Sequence, residues 1–249
     1  MKIWNLIEET LQSRKMHMTL IDPAKQNLDA AGEISKAAEA AGTDAVMVGG
    51  STGITQDNLD GTVDEIKRRS SLPVIYFPSG ANAIARNCDA IYFMSMLNSR
   101  NVRNLTGEHW RGAPVIRQLG LETISMGYVV IEPGMKVGEV GEADVVLRDD
   151  TARAVGYALT AQYFGMAMVY LEAGSGAPSP VPSDMVREVR RSVRIPIVVG
   201  GGIARPDDAR SLIAAGADII VTGTLVENGD FERPLKEIVG AVRDSRTAP

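Results

Sequence analysis

Eight short apolar runs, separated by polar and helix-like stretches, constrain this chain of 249 residues more than any other feature. They are MHMTLI (16–21), AVMVGG (45–50), PVIYF (73–77), AIYFMS (90–95), MGYVVI (126–131), AMVYLE (167–172), IPIVVGG (195–201) and DIIVTG (218–223). A strand with one wet face alternates apolar and polar residues, whereas these runs are apolar at nearly every position, as parallel strands buried on both faces require. The intervening segments, such as NLDAAGEISKAAEAAG and DDARSLIAAG, carry apolar residues three and four apart and end in glycine, the mark of amphipathic helices with glycine C-caps. Repeated strand–helix alternation predicts one α/β domain over residues 1–249, a (β/α)8 TIM barrel of the phosphate-binding type. The echo between AGTDAVMVGG (41–50) and AGADIIVTGT (215–224) suits repeated βα units.

One unit departs from the pattern. Only PSGANAIARNCD (78–89) joins the third and fourth runs, too little for a full covering helix, so an incomplete third helix is expected. The wall there either leaves an apolar slot for another molecule or is covered by a neighbouring helix or a partner subunit.

Composition narrows the function classes. A net charge of −5 with scattered Lys and Arg argues against a nucleic-acid partner. A single cysteine, Cys88, excludes an internal disulfide and fits a reducing interior. No apolar run approaches the roughly 18 residues a membrane-spanning helix needs, so a cytoplasmic protein is expected. Two histidines, His17 and His109, are too few for a multi-histidine metal site and read as structural.

In such barrels the chemistry lies at the C-terminal strand ends. VGGGIARPDDAR follows the seventh run and TGTLVENGD the eighth, and glycines there let backbone N–H groups approach an anion. With Thr224 offering a hydroxyl, these two loops form the expected phosphate site. The sixth run ends in YLEAGSGAP (170–178), placing Glu172 where it can act as a general base, with Gly174, Ser175 and Gly176 beside a phosphate or polyol. Asp22 after the first run, and Ser51 and Thr52 after the second, are oxygen ligands of the kind Mg²⁺ accepts, but Asp-Pro also starts turns and Ser-Thr-Gly also caps helices. The residues alone leave that choice open.

The phrases HMTLIDPAK, GTDAVMVGGSTGIT, AIYFMSMLNS, YLEAGSGAP, VGGGI and VTGTLVEN, running from about residue 16 to residue 228, resemble in order and spacing the archaeal-type geranylgeranylglyceryl phosphate synthases, which are related to bacterial heptaprenylglyceryl phosphate synthases. The resemblance implies a Mg²⁺-dependent prenyltransferase of ether-lipid synthesis. It would join the 3-hydroxyl of sn-glycerol 1-phosphate to geranylgeranyl diphosphate. It places the Mg²⁺ ligands on Asp22 and Ser51. It places the glycerol phosphate site on Tyr170, Leu171, Glu172, Ala173, Gly174, Ser175 and Gly176, on Gly201 and Gly202, and on Gly223 and Thr224, with Glu172 as the base. It also assigns the gap at the third helix to the prenyl chain. Leu20 stands where the bacterial relatives carry Lys, which favours the archaeal-type group. Glu139 stands where some members have an aromatic residue that supports a larger assembly, so a homodimer is expected ahead of a higher homo-oligomer. Two alternatives use the same loops: a sugar-phosphate isomerase or epimerase, and a barrel that binds a phosphorylated metabolite without turnover.

Overall fold

The computed structural model describes residues 2–227 and 229–244. Its eight parallel strands close in sequence order: β1 (Met16–Ile21), β2 (Ala45–Val48), β3 (Val74–Tyr76), β4 (Ala90–Met96), β5 (Glu122–Val130), β6 (Met168–Glu172), β7 (Ile197–Gly200) and β8 (Ile219–Thr222), with β8 pairing back to β1. Helix α1 (Ile3–Leu11) precedes β1, and α2 (Leu28–Ala41) and α3 (Gln56–Arg69) follow β1 and β2. A π-helical turn at Arg103–Gly107 leads into α4 (Glu108–Leu119) after β4. Helices α5 (Met135–Val140) and α6 (Thr151–Tyr163) lie between β5 and β6, followed by α7 (Ser183–Ser192), α8 (Pro206–Ala215) and, after β8, α9 (Glu232–Arg243).

Local signals account for the helix ends. The Asn27 side chain accepts the Ala30 N–H at 2.8 Å to start α2, and Gly42 ends it at φ 92°. Gly216 ends α8 in the same left-handed way, at φ 111°. No described helix is long and apolar enough to cross a membrane.

Strand alternation divides the core into two shells. Met16, Met18, Met126, Met168 and Tyr170 point into the barrel, while Val169, Leu171, Val199 and Ile220 pack outward under the helices. Helix α1 closes the N-terminal end: Ile7 joins the inner shell, and the Glu122 carboxylate accepts the N–H groups of Ile3 and Trp4 at 2.7 and 2.9 Å. Those are free donors of a helix start, which a carboxylate satisfies well. This contact also explains why β5 begins at Glu122, four residues before the apolar run at Met126, since the polar start of the strand is held by α1 and paired to β4. His17 is fully buried in the outer shell, its ring nitrogens 2.9 Å from Thr43 Oγ1 and 3.0 Å from Thr222 Oγ1. Burial holds its pKa at about 4, against the pull of Asp44, so it is a neutral structural histidine, as expected.

No helix forms between β3 and β4. The connecting segment is instead strapped to its neighbours. Gln56 of α3 bonds both backbone groups of Ile84, at 2.9 and 3.1 Å, and Glu108 of α4 accepts the Ala81 N–H at 2.6 Å. A cavity runs beneath that segment, with α4 as its far wall.

Candidate active site

The mouth of the barrel opens into a cavity of about 410 Å³. Its polar end is built by strand ends β2, β6, β7 and β8, which bring Ser51, Tyr170, Glu172, Ser175, Gly176, Gly201, Gly202, Gly223 and Thr224 to one wall system. Its apolar end runs past Phe93 to the segment of Ser79, Ala81 and Ile84 and to Gly112 and Ile116 of α4. A compact anion and a long apolar chain can therefore share one continuous space.

Two glycines shape the anion end. Gly201 and Gly202 hold φ 80° and 69°, a region side chains rarely enter, and a methyl on Gly201 would sit 2.3 Å from Glu172 Oε1. Main chain thus approaches the mouth where any side chain would fill it. The Ser175 and Thr224 hydroxyls lie 2.8 Å apart, joining the loops after β6 and β8. Of the phrase VTGTLVEN, Asn228 lies outside the described residues.

Not every predicted position faces the mouth. Leu171 and Ala173, both fully buried, alternate away from Tyr170 and Glu172 into the outer shell, where Ala173 N–H bonds Gly200 O and Ala173 O accepts Gly134 N–H. Within the predicted stretch the Tyr170 and Glu172 side chains therefore face the cavity, whereas those of Leu171 and Ala173 do not. Gly174 contributes through its N–H, which donates to Glu172 Oε1 at 2.6 Å. Thr52 is exposed and lies outside the cavity wall.

Glu172 is 7% exposed. Burial pushes its carboxyl above the usual carboxylate range, and bonds from the Gly174 N–H and the Tyr170 and Tyr128 hydroxyls draw it partly back. A buried carboxylate whose affinity for a proton is raised, open to the cavity, is suited to accept a proton from a bound hydroxyl. Tyr128 was hidden in the sequence because it sits inside the apolar run MGYVVI and reads as core. With Phe77, Tyr92 and Tyr170 it floors the cavity, the rings of Tyr128 and Tyr170 meeting edge to face at 5.0 Å.

Asp22 stands behind the β2 strand end. A methyl on Gly50 would lie 2.3 and 2.5 Å from its two carboxylate oxygens, so the Asp22 side chain rests against the main chain that leads into Ser51. Its Oδ1 accepts the Ala24 N–H at 2.9 Å. Burial raises its pKa, opposed by that bond and by Lys25. Among the described residues no Lys or Arg lines the cavity, and its ionisable groups other than tyrosine are Glu108, His109 and Glu172. Glu108 is already engaged by Arg103, by Arg111 at 3.8 Å and by the Ala81 N–H. His109, on the groove wall, packs edge to face on Phe93 at 4.6 Å.

Residues 8–242 match the PcrB family. The chain is 47% identical over 243 residues to a geranylgeranylglyceryl phosphate synthase of Picrophilus torridus, covering 97% of this chain and 100% of that protein. Among solved structures, wild-type GGGPS from Thermoplasma volcanium superposes with a TM-score of 0.96 at 43% identity, covering 100% of both chains. The (S)-3-O-geranylgeranylglyceryl phosphate synthase from Thermoplasma acidophilum, solved in complex with substrate sn-glycerol-1-phosphate, gives a TM-score of 0.96 at 42% identity over 98% of this chain and 100% of that one.

Proposed function

The chain belongs to the PcrB family, and from that premise we propose that it is a prenyltransferase that joins sn-glycerol 1-phosphate to geranylgeranyl diphosphate, giving geranylgeranylglyceryl phosphate and diphosphate. The observation that carries the reading is one space with two ends: a glycine-lined mouth holding a buried carboxylate, and an apolar groove under the segment that lacks its helix. The small phosphorylated alcohol belongs at the mouth and the prenyl chain in the groove.

The main chain at Gly201, Gly202 and Gly223, with the Ser175 and Thr224 hydroxyls, binds the phosphate of the glycerol substrate. That anchor presents the 3-hydroxyl to Glu172. The hydroxyl oxygen forms a bond to the first prenyl carbon while the bond from that carbon to the diphosphate oxygen breaks, its electron pair leaving with diphosphate. The hydroxyl proton passes to Glu172. Alignment of both substrates in one cavity contributes the entropic part of the acceleration.

The site also fits a divalent cation. A diphosphate bound here meets no cationic wall side chain among the described residues, while Asp22 and the strand end at Ser51 supply oxygen donors of the hard type. Asp22 and Ser51 would hold Mg²⁺, which when bound supplies compensation for the charge that develops on the leaving group. A homodimer working in the cytoplasm completes the proposal. Its basis is the family resemblance together with Glu139, exposed and paired with Lys136 at 2.9 Å where an assembly-building aromatic would otherwise stand.

The test is incubation of the purified protein with sn-glycerol 1-phosphate, Mg²⁺ and geranylgeranyl diphosphate, with mass spectrometry of the product. Formation of the ether phosphate is expected, and turnover of a sugar phosphate in its place would return the isomerase alternative.

A further inference from the structure

We propose that Lys25 is a diphosphate-binding residue, held beside the mouth by Glu227 until the leaving group of the prenyl substrate takes that carboxylate's place. This rests on the reading of the mouth as the seat of a prenyl diphosphate.

Two short turns bring the pair together across the seam where β8 closes on β1. One begins at Asp22, whose carbonyl accepts the Lys25 and Gln26 N–H groups, each at 3.0 Å. The Gln26 side chain accepts the Asp22 N–H at 2.8 Å in return, and the Asp22 carboxylate accepts the Ala24 N–H at 2.9 Å. Lys25 therefore rides on a tied turn whose first residue is the proposed Mg²⁺ ligand. The other is the 3₁₀ turn Thr224–Glu227, which starts at a residue of the cavity wall. Between the two turns, Lys25 Nζ donates to Glu227 Oε1 at 2.7 Å. The loop after β2 reaches the same place, since a methyl on Gly53 would lie 3.0 Å from Ala24 Cβ. Lys25 thus stands where the loops of Asp22, Ser51 and Thr224 converge.

The pair is placed to be exchanged. The Lys25 side chain is 47% exposed and that of Glu227 26%, and neither has a second ion-pair partner among the described residues. Water screens a pair so placed, and such pairs add little to stability. A diphosphate offers several charged acceptor oxygens, of which one divalent ion offsets only part, and a charge-assisted bond to the ammonium is a strong one. The flexible stem of a lysine lets its head turn from one acceptor to the other while the main chain stays in place. The chemistry needs a group of this kind, because no Lys or Arg lines the cavity among the described residues. In the loops after β1, β2 and β8, residues 22–27, 49–55 and 223–231, Lys25 is the only Lys or Arg. Arg205, the cation in the loop after β7, is already bound to Asp208 at 2.9 Å within its own helix start.

The experiment titrates the full chain with inorganic diphosphate in the presence of Mg²⁺ by calorimetry, for the parent, Lys25→Ala and Glu227→Gln, with KM for geranylgeranyl diphosphate measured alongside. Lys25→Ala should weaken diphosphate binding about tenfold, the value of one hydrogen bond to a charged group, and raise KM for the prenyl diphosphate, while the affinity for sn-glycerol 1-phosphate stays at the parent's. Glu227→Gln, which frees the ammonium, should bind diphosphate as tightly as the parent or more tightly. A pair that only fastens two loops together would make both variants lose binding alike. Parallel losses therefore overturn the role of Lys25, as does a Lys25→Ala that binds diphosphate like the parent. Lys25→Met takes its place in the test if circular dichroism shows Lys25→Ala unfolded. A parent that binds no diphosphate removes the proposed function and the lysine's role together, whereas ether-phosphate formation beside unaltered diphosphate binding in Lys25→Ala removes the lysine's role only.

Discussion

The Ser175 and Thr224 hydroxyls lie 2.8 Å apart, so the loops after β6 and β8 meet over the end of β7. Each hydroxyl is already partnered, and a bound phosphate would be held by a pre-arranged pair. Ser175→Ala and Thr224→Val should each raise KM for sn-glycerol 1-phosphate about fivefold, the equivalent of roughly 1 kcal/mol per hydrogen bond. Because the two oxygens share one bond, the double variant should fall short of the product of the two effects. Full multiplicativity in the measured KM values would dissolve the pairing.

Glu172→Gln keeps size and shape but cannot take the substrate proton. We expect kcat to fall on the order of 100- to 10,000-fold, the usual worth of general-base catalysis, with the fold preserved by circular dichroism. A variant within a few-fold of the parent would exclude Glu172 as the base.

The same substitution should stabilise the protein at neutral pH. Burial raises the Glu172 pKa in the folded chain above its unfolded value. The folded state therefore favours the protonated form, and the resulting stability is full below the unfolded pKa and is lost as pH rises through the folded pKa. Parent and Glu172→Gln should melt together at acid pH and separate above the folded pKa. There the variant should melt at the higher temperature. Equal melting temperatures at all pH values would contradict this.

Asp22 and Gly50 share one tight contact. Asp22→Asn should raise the Mg²⁺ concentration for half-maximal turnover, on the order of tenfold or more, with little change in KM for sn-glycerol 1-phosphate. Gly50→Ala, whose methyl must displace that carboxylate, should act in the same direction. Mg²⁺ titrations that coincide with the parent's would place the cation elsewhere, and chelation with EDTA should abolish turnover reversibly.

Gly112 of α4 faces Ala81 and Ile84 across the groove, each 3.7 Å from where its methyl would lie. Ala fits at ordinary contact distance, but Gly112→Leu should fill the groove and raise the ratio of turnover with a 15-carbon to that with a 20-carbon prenyl diphosphate. An unchanged ratio would mean that the chain runs elsewhere.

The fold was legible because parallel strands buried on both faces must be apolar throughout, as in MHMTLI and IPIVVGG, and because glycines at 42 and 216 mark helix ends. The loops of Glu172, Gly201 and Thr224 were legible for a related reason, since strand ends carry the site in this architecture. What stayed hidden depends on neighbours across the sheet. Tyr128 reads as one more core residue until the register sets it beside Tyr170. The contact of Asp22 with Gly50 joins two strand ends that no local pattern links. Alternation alone foretells that the Leu171 and Ala173 side chains turn away from the face that Glu172 takes.

The segment between β3 and β4 is pinned at Ile84 by Gln56 and at Ala81 by Glu108, while the space beneath it is apolar. The barrel's one bare stave is thus set apart from the strand ends that bear Glu172, Gly201 and Thr224, so bulkier residues there should change the volume of the groove while those residues keep their positions.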